Sequence, residues 1–449
     1  MKRYSLAALV AAGVLAGGFA TSASAADLGG NCCADLEERI AELEATTARK
    51  GNRKVSLTIS GFVAQQILAW DDGSESNVYI TDTGSVSIGT HVKFTGQATI
   101  APGWSAGYVL KLETIQNDSL TASQDVDNGP NAFGGGSNVG VESSYWFVKN
   151  DQLGRLSLGK QSSAADNQAI LPDGSGTLVV ANYVLYDVNG FQLREKTDGD
   201  FANGLVWGDL ASCQTVDGGG GVSADCDGFP NNNVRYDTPV FAGFSFSASW
   251  GEDDIWAVSG RYAGEFSGFK LAAAIAYNEN KDENGFGGLA IPDGTDAAAL
   301  QIGAYVEHVP TGLFVYGAYG QEYIDTEGFD RKEGDNFYIK AGLRTRLSSL
   351  GHTIFYGEYG ENNDKFSNTA FLENRLDGSK MEQYGVGVVQ EIDAAAMSLW
   401  LAYRHYEGEV ECRGNSNASV CDDFNDGGDN TKAELEDFDL IKAGALINF

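Results

Sequence analysis

Asn336–Gly360 reads NFYIKAGLRTRLSSLGHTIFYGEYG, and its period decides what kind of chain this is. Phe337, Ile339, Ala341 and Leu343 fall on one side of a period of two, and Tyr338, Lys340, Gly342 and Arg344 fall on the other. Successive side chains of an extended chain point to opposite faces, so the stretch predicts a strand with one apolar and one polar face. Leu347 to Leu350 turns the chain, and alternation resumes from Gly351 to Gly360. Two such strands around a short turn make a hairpin.

The same pattern returns along the whole chain. Sixteen segments carry it, among them 54–69, 85–100, 104–116, 141–149, 154–161, 243–251, 336–347, 351–360 and 436–449. In 243–251, Phe244, Phe246, Ala248 and Trp250 oppose Ser245, Ser247 and Ser249; in 85–100, Val86, Ile88, Val92 and Phe94 oppose Ser87, Gly89, His91, Lys93 and Thr95. The connections alternate in length. Ala101–Gly103, Asn150–Leu153, Val309–Thr311 and Ile392–Ala395 are short, whereas 117–140, 162–230, 279–297, 361–380 and 407–435 are long and rich in Gly, Asp, Asn and Ser. Only Glu252–Asp254 breaks the rule. A soluble sandwich has no reason to gather its long loops at one end, but a barrel crossing an outer membrane keeps short turns inside and long loops outside.

Closure and orientation follow from physical chemistry. A cylinder of sixteen strands is too wide to be filled by its own inward side chains, and the polar face carries too much charge to be a dry core. The apolar face must therefore meet lipid and the polar face an aqueous bore. The chain of 449 residues holds 62 Asp+Glu against 30 Lys+Arg, a formal charge of −32, which excludes a phosphate-binding surface for nucleic acid. After the N-terminus no apolar run reaches the length a membrane helix needs, so a membrane-spanning form must be a closed barrel.

The N-terminus predicts export. Lys2 and Arg3, an apolar run from Leu6 to Leu15, and Ala23-Ser24-Ala25 have the three parts of a secretory signal, with residues 1–25 removed. Residues 26–53 are expected to form a periplasmic coiled-coil-like helix and linker, since Leu36, Ile40, Leu43 and Thr47 recur at spacings of four and three. A solvated helix is the alternative reading. Residues 54–449 are then the barrel. In an oxidising compartment Cys213 with Cys226, and Cys412 with Cys421, can each close a small loop. Neither pair has metal-ligand spacing or a nearby His, so no metal is expected. Cys32-Cys33 cannot easily bridge within itself and could serve an interchain link. The acidic stretch Asp423–Asp429 lacks a complete calcium-loop pattern and reads as a solvated loop.

Ile441, Ala443, Ala445, Ile447 and the terminal Phe449 alternate to the last residue, and Asp35–Val63 reads DLEERIAELEATTARKGNRKVSLTISGFV. In these two stretches the chain resembles bacterial outer-membrane general porins, the alphaproteobacterial ones in particular. The resemblance implies an all-β fold, a homotrimer of 16-stranded antiparallel transmembrane barrels, each with a long loop folded inward to narrow the channel. The longest connection, 162–230, lies where porins place that loop.

On this reading the constriction has an acidic side, Asp166, Asp173, Asp187 and Glu195, and a basic wall of lumen-directed cations, Lys93, Lys111, Arg155, Arg235 and Arg261. Charges of opposite sign across a narrow bore produce a transverse field. The Cys213 to Cys226 part is expected to rise to the outer surface. No nucleophile elbow, zinc-protease motif or nucleotide fingerprint occurs, and the four His residues are scattered. The expected activity is thus passive diffusion of small hydrophilic solutes and ions, not catalysis, with no cofactor. A substrate-specific channel and an adhesin or receptor barrel acting through its loops are the alternatives. Expected partners are further copies of the chain, outer-membrane lipid and lipopolysaccharide, and peptidoglycan through the N-terminal helix; nucleic acid is not one.

Overall fold

The computed structural model describes residues 55–84, 88–114, 117–127, 139–184, 187–196, 198–213, 225–227, 230–251, 255–280, 295–326, 332–366, 376–412 and 432–449. The expected signal peptide, the N-terminal helix and Cys32-Cys33 lie outside the described residues, as do Val86, Cys421 and Asp423–Asp429.

Twenty strands follow one another among the described residues. The first half holds β1 (Ser56–Asp71), β2 (Ser76–Thr81), β3 (His91–Ala101), β4 (Trp104–Thr114), β5 (Val139–Asn150), β6 (Gly154–Gln161), β7 (Gln192–Arg194), β8 (Phe201–Val206), β9 (Asn231–Asp237) and β10 (Phe244–Gly251). The second half holds β11 (Trp256–Phe266), β12 (Phe269–Asn280), β13 (Thr295–His308), β14 (Leu313–Thr326), β15 (Asp335–Ser348), β16 (Gly351–Asn363), β17 (Leu376–Ile392), β18 (Met397–Cys412), β19 (Lys432–Glu434) and β20 (Phe438–Asn448). β7 and β8 form a separate small hairpin, and β2 and β19 extend the rims of β1 and β18. The remaining sixteen make one closed antiparallel barrel, sealed where β20 pairs with β1 from Phe62↔Asn448 to Asp71↔Asp439. Phe449 completes the seam: its N–H and C=O exchange hydrogen bonds of 3.0 and 3.1 Å with Gly61.

The alternation places each face as the sequence requires. Ile59, Val63 and Ile67 of β1, Phe244, Phe246 and Trp250 of β10, Phe337 and Ile339 of β15, and Ile441 and Ile447 of β20 are exposed on the outside. Tyr316, Tyr338, Lys340, Arg404 and Lys442 point inward and are buried. Two expectations are corrected. The segment expected at 85–100 becomes strand only at His91, because Thr83 Oγ1 donates to the Ile88 carbonyl (2.6 Å) and Glu113 accepts from the Gly89 N–H (3.1 Å). Ile88 is accordingly buried rather than turned to lipid.

Nor is the whole inner face wetted. The long loop carries its own apolar residues into the barrel: Ile170, Val180, Tyr183 and Val184 pack on Tyr305, Tyr316, Tyr338 and Tyr356, while Phe191, Leu193, Trp207 and Leu210 pack on Trp70, Tyr406 and Phe438. The loop must come very close to the wall to do so. At Gly303 of β13 an added Cβ would lie 2.1 Å from the Ala169 carbonyl oxygen. Gly303→Val is therefore expected to push the loop off β13 and destabilise the protein by about 1–3 kcal/mol, the usual range for overpacking. The check is the thermal unfolding midpoint of the purified barrel; an unchanged midpoint would show that the contact is dispensable.

Candidate functional site

The inward loop leaves β6 at Gln161 and travels round the wall, fastened strand by strand. On β9, Arg235 donates to the carbonyls of Ser162 (3.2 Å) and Ser163 (2.7 Å). Ser249 of β10 accepts the Ala164 N–H at 2.8 Å, Arg261 of β11 donates to Gln168, and Tyr316 of β14 donates to the Ala169 carbonyl at 2.6 Å. Lys340 of β15 spends its three donors on Asp173 (2.6 Å), Thr177 (2.7 Å) and the Ala181 carbonyl (2.6 Å). Arg404 of β18 grips Glu358 of β16 through two 2.9 Å bonds and reaches the Asn182 carbonyl. Lys442 of β20 binds the Val180 carbonyl (2.8 Å) and Asp187 (2.5 Å), which also accepts from Gln66 of β1 (2.8 Å).

The expected acidic side is thus divided among different places. Asp173 and Asp187 do meet cations, but those cations are Lys340 and Lys442, which the sequence pattern did not single out for the site. Asp166 lies near Asp225 of the same loop, buried and bonded to Asn167 at 2.5 Å. Glu195 is bridged through its backbone to Leu435 beside the β7–β8 hairpin, next to Arg194, which pairs with Asp72 at 2.7 Å.

The expected basic wall is also divided. Arg235 and Arg261 are loop clamps. Lys93, Lys111 and Arg155 stand on β3, β4 and β6, which the loop does not fasten to through any of the clamps just described. Round the ring of sixteen, β5 is eight places from β15, so this wall faces the seat of the loop across the lumen. Lys93 and Lys111 are direct cross-strand partners. Like charges in that position repel, which is a cost without structural return unless an anion or acid is nearby. Glu142 of β5 forms a close ion pair with Lys111. The Arg155 guanidinium lies over the rings of Tyr145 and Phe147, at 5.2 and 4.9 Å, which fixes its position on the wall.

The loop itself is poorer in charge than its sequence suggests. Burial pushes Asp225 and Asp227 up to about 7, with the neighbouring Asp227 charge adding to the effect on Asp225, and burial beside Asp225 pushes Asp166 well above the carboxylate range. Near neutrality much of the loop's negative charge is therefore suppressed.

Cys213 and Cys226 are joined by a disulfide, with Cα atoms 5.4 Å apart. Of the part expected to rise to the outer surface, residues 214–224 lie outside the described residues, and only its two ends are seen. Both residues are buried against Ala299 of β13, where Asp225 accepts from Gln301 (3.1 Å) and Asp227 from Ser163, which draws residues 225–227 inward. Cys412 is disulfide-bonded at the end of β18. A set of Cys213, Cys226 and Glu322 comes together among the described residues, but its sulfurs are consumed in the disulfide, and the Lys365 ammonium occupies the place between them and Glu322.

A closed antiparallel barrel with an apolar exterior and a loop pinned inside it is the architecture of an outer-membrane channel. The family model of Gram-negative porins matches residues 6–409, and the chain belongs to that family. No curated sequence matches. Among solved structures the chain is similar to an anion-selective porin from Comamonas acidovorans: 16% identity, 88% of this chain and 100% of that one covered, TM-score 0.53. It is also similar to the trimer form of OmpT, an outer membrane protein of Vibrio cholerae: 13% identity, 88% and 99% covered, TM-score 0.51. At such identities these likenesses bear on fold. Family and fold together make the protein an outer-membrane channel for passive diffusion rather than an enzyme.

Proposed function

We propose that the conduit runs between the seated loop and the β3–β6 wall, and that its narrowest part prefers small anions. The observation that carries this is the pairing of loop carboxylates Asp173 and Asp187 with Lys340 and Lys442, while Lys93, Lys111 and Arg155 gather on the opposite wall. A field acts most strongly where the bore is narrow and its walls have low permittivity, so the constriction outweighs acidic loops at the mouth. Selection then rests on width and charge, without covalent chemistry. The similarity to an anion-selective porin agrees with this preference. Export by residues 1–25, assembly as a homotrimer, and contact of the outer rim with lipopolysaccharide through divalent ions complete the proposal. That rim carries Glu361, Glu382 and Glu407 in one cross-strand row.

The test is the reversal potential of the purified protein in a lipid bilayer under a KCl gradient. Chloride preference is expected, and potassium preference would overturn the reading. The pH dependence has a definite sign. Asp225 and Asp227 titrate near 7 in the folded loop, so their neutral forms prevail below that pH and their charged forms above it. Because the folded pKa is raised, the stability that the neutral forms contribute is also lost as pH climbs from the ordinary carboxylate range through 7. Chloride preference should accordingly weaken between pH 6 and pH 8, and a preference that strengthened over that range would contradict the assignment.

A further inference from the structure

We propose that the Cys213–Cys226 disulfide is a redox-labile tether for the inward loop, opened by small thiols and closed again by oxidation. The inference rests on the reading that the loop bounds the conduit. Its first support is placement. The disulfide joins residues 13 positions apart and fixes Cys226 to Cys213, with Asp225 and Asp227 on either side of it. Asp225 accepts from the Asn167 N–H (3.3 Å) and from Gln301 of β13 (3.1 Å), and Asp227 accepts from Ser163. These are the contacts that join residues 163–168 to residues 225–227, on the limb clamped by Arg235 and Arg261.

The second support is the group that faces the sulfurs. Lys365, in the segment after β16, is fully buried and places its ammonium 3.5 Å from Cys213 Sγ and 3.4 Å from Cys226 Sγ, while forming a close ion pair with Glu322 of β14. A disulfide sulfur is neutral and gains little from an ammonium. A thiolate gains a great deal, since a cation beside it stabilises the deprotonated form. The site thus favours the reduced state more than an apolar pocket would, and a disulfide whose reduced form is stabilised is the more easily reduced one.

The step balances with a small dithiol as reductant. Its thiolate attacks one cysteine sulfur, the S–S bond breaks, and the other cysteine leaves as a thiolate beside Lys365. The second thiol of the reductant then displaces the first cysteine, forming the cyclic disulfide of the reductant. Two electrons pass to the protein sulfurs, and the two protons of the reductant end on the two cysteines or in solvent. Once the cross-link is gone, Cys226 is no longer fixed to Cys213, and the hydrogen bonds of Asp225 and Asp227 alone keep residues 225–227 on the limb and wall.

The experiment pairs thiol alkylation with conductance on the full-length folded protein. Dithiothreitol buffers of graded thiol-to-disulfide ratio are followed by alkylation read peptide by peptide, so that Cys213 and Cys226 are separated from Cys412. Alkylation of both cysteines in the folded barrel is expected, together with a change in single-channel step that Cys213→Ser/Cys226→Ser reproduces and reoxidation reverses. Replacing the ion pair as a unit, Lys365→Met with Glu322→Gln, avoids stranding a buried charge; it should move the thiol–disulfide equilibrium about tenfold toward the disulfide, a shift near 30 mV for this two-electron couple. Cysteines that resist alkylation in the folded barrel, or that react with no change in step and no effect of the serine variant, would overturn the tether. A protein that opens no channel before reduction would overturn the pore reading itself, so the two failures are distinct.

Discussion

Lys340→Met is expected to destabilise the folded barrel by about 3–5 kcal/mol, the cost of leaving one member of a buried ion pair without its partner. Both Lys340 and Asp173 are wholly removed from solvent, and the ammonium also satisfies Thr177 and the Ala181 carbonyl. The Met side chain fills a similar volume but returns none of those three bonds. Asp173 must then be protonated, or leave the wall and take the loop with it. The second course enlarges the bore, so the thermal midpoint should fall while the single-channel step rises. Lys340→Met combined with Asp173→Leu should recover most of the stability, since replacing a buried pair by well-packed apolar groups is often close to neutral. A single variant within about 1 kcal/mol of the parent, well short of that cost, would show that the loop is held elsewhere.

Reversing the charge of the facing wall should invert selectivity. In Lys93→Glu/Lys111→Glu two adjacent positive positions become negative, and Glu142 loses its partner and adds to the reversed field. A unit charge at about 4 Å contributes about 1 kcal/mol even at the permittivity of water. Each reversal changes the local charge by two units, so the chloride-to-potassium permeability ratio should shift by about tenfold or more in low salt, where screening is weak. Arg346→Glu is the control. Arg346 is half exposed and pairs with Asp393 at the short-turn end of the barrel, where a reversed charge sits in bulk-like solvent. Its effect on the reversal potential should be small. If both variants moved the potential equally, the wall would not be the selective element.

The outward faces, the strand order and the short-turn end were legible because each depends only on neighbours in sequence. A period of two in Phe337–Arg344 states which residue meets lipid, and the tight turns state which strands are paired. The same parity puts Lys340 on the inward face, and Arg404 and Lys442 follow it by the same rule. What parity could not state is which of the inward cations the loop would lie against. Asp173 and Lys340 are separated by 167 residues, and Asp187 and Lys442 by 255. No local pattern links such pairs.

That difference has a physical root. Burying alternate side chains against lipid is a property of each strand, repeated sixteen times, so the chain alone determined the barrel, its polarity and its class. The course of the inward loop is a contest among nearly equivalent polar walls. It is settled by shape: a glycine at 303 that admits the Ala169 carbonyl, tyrosines of β13 to β16 that pack on Ile170 and Tyr183, and a disulfide that turns residues 225–227 inward. Only the closed tertiary structure brings those shapes to one place, and through them it decided which cations became anchors of the loop and which stand on the wall opposite it.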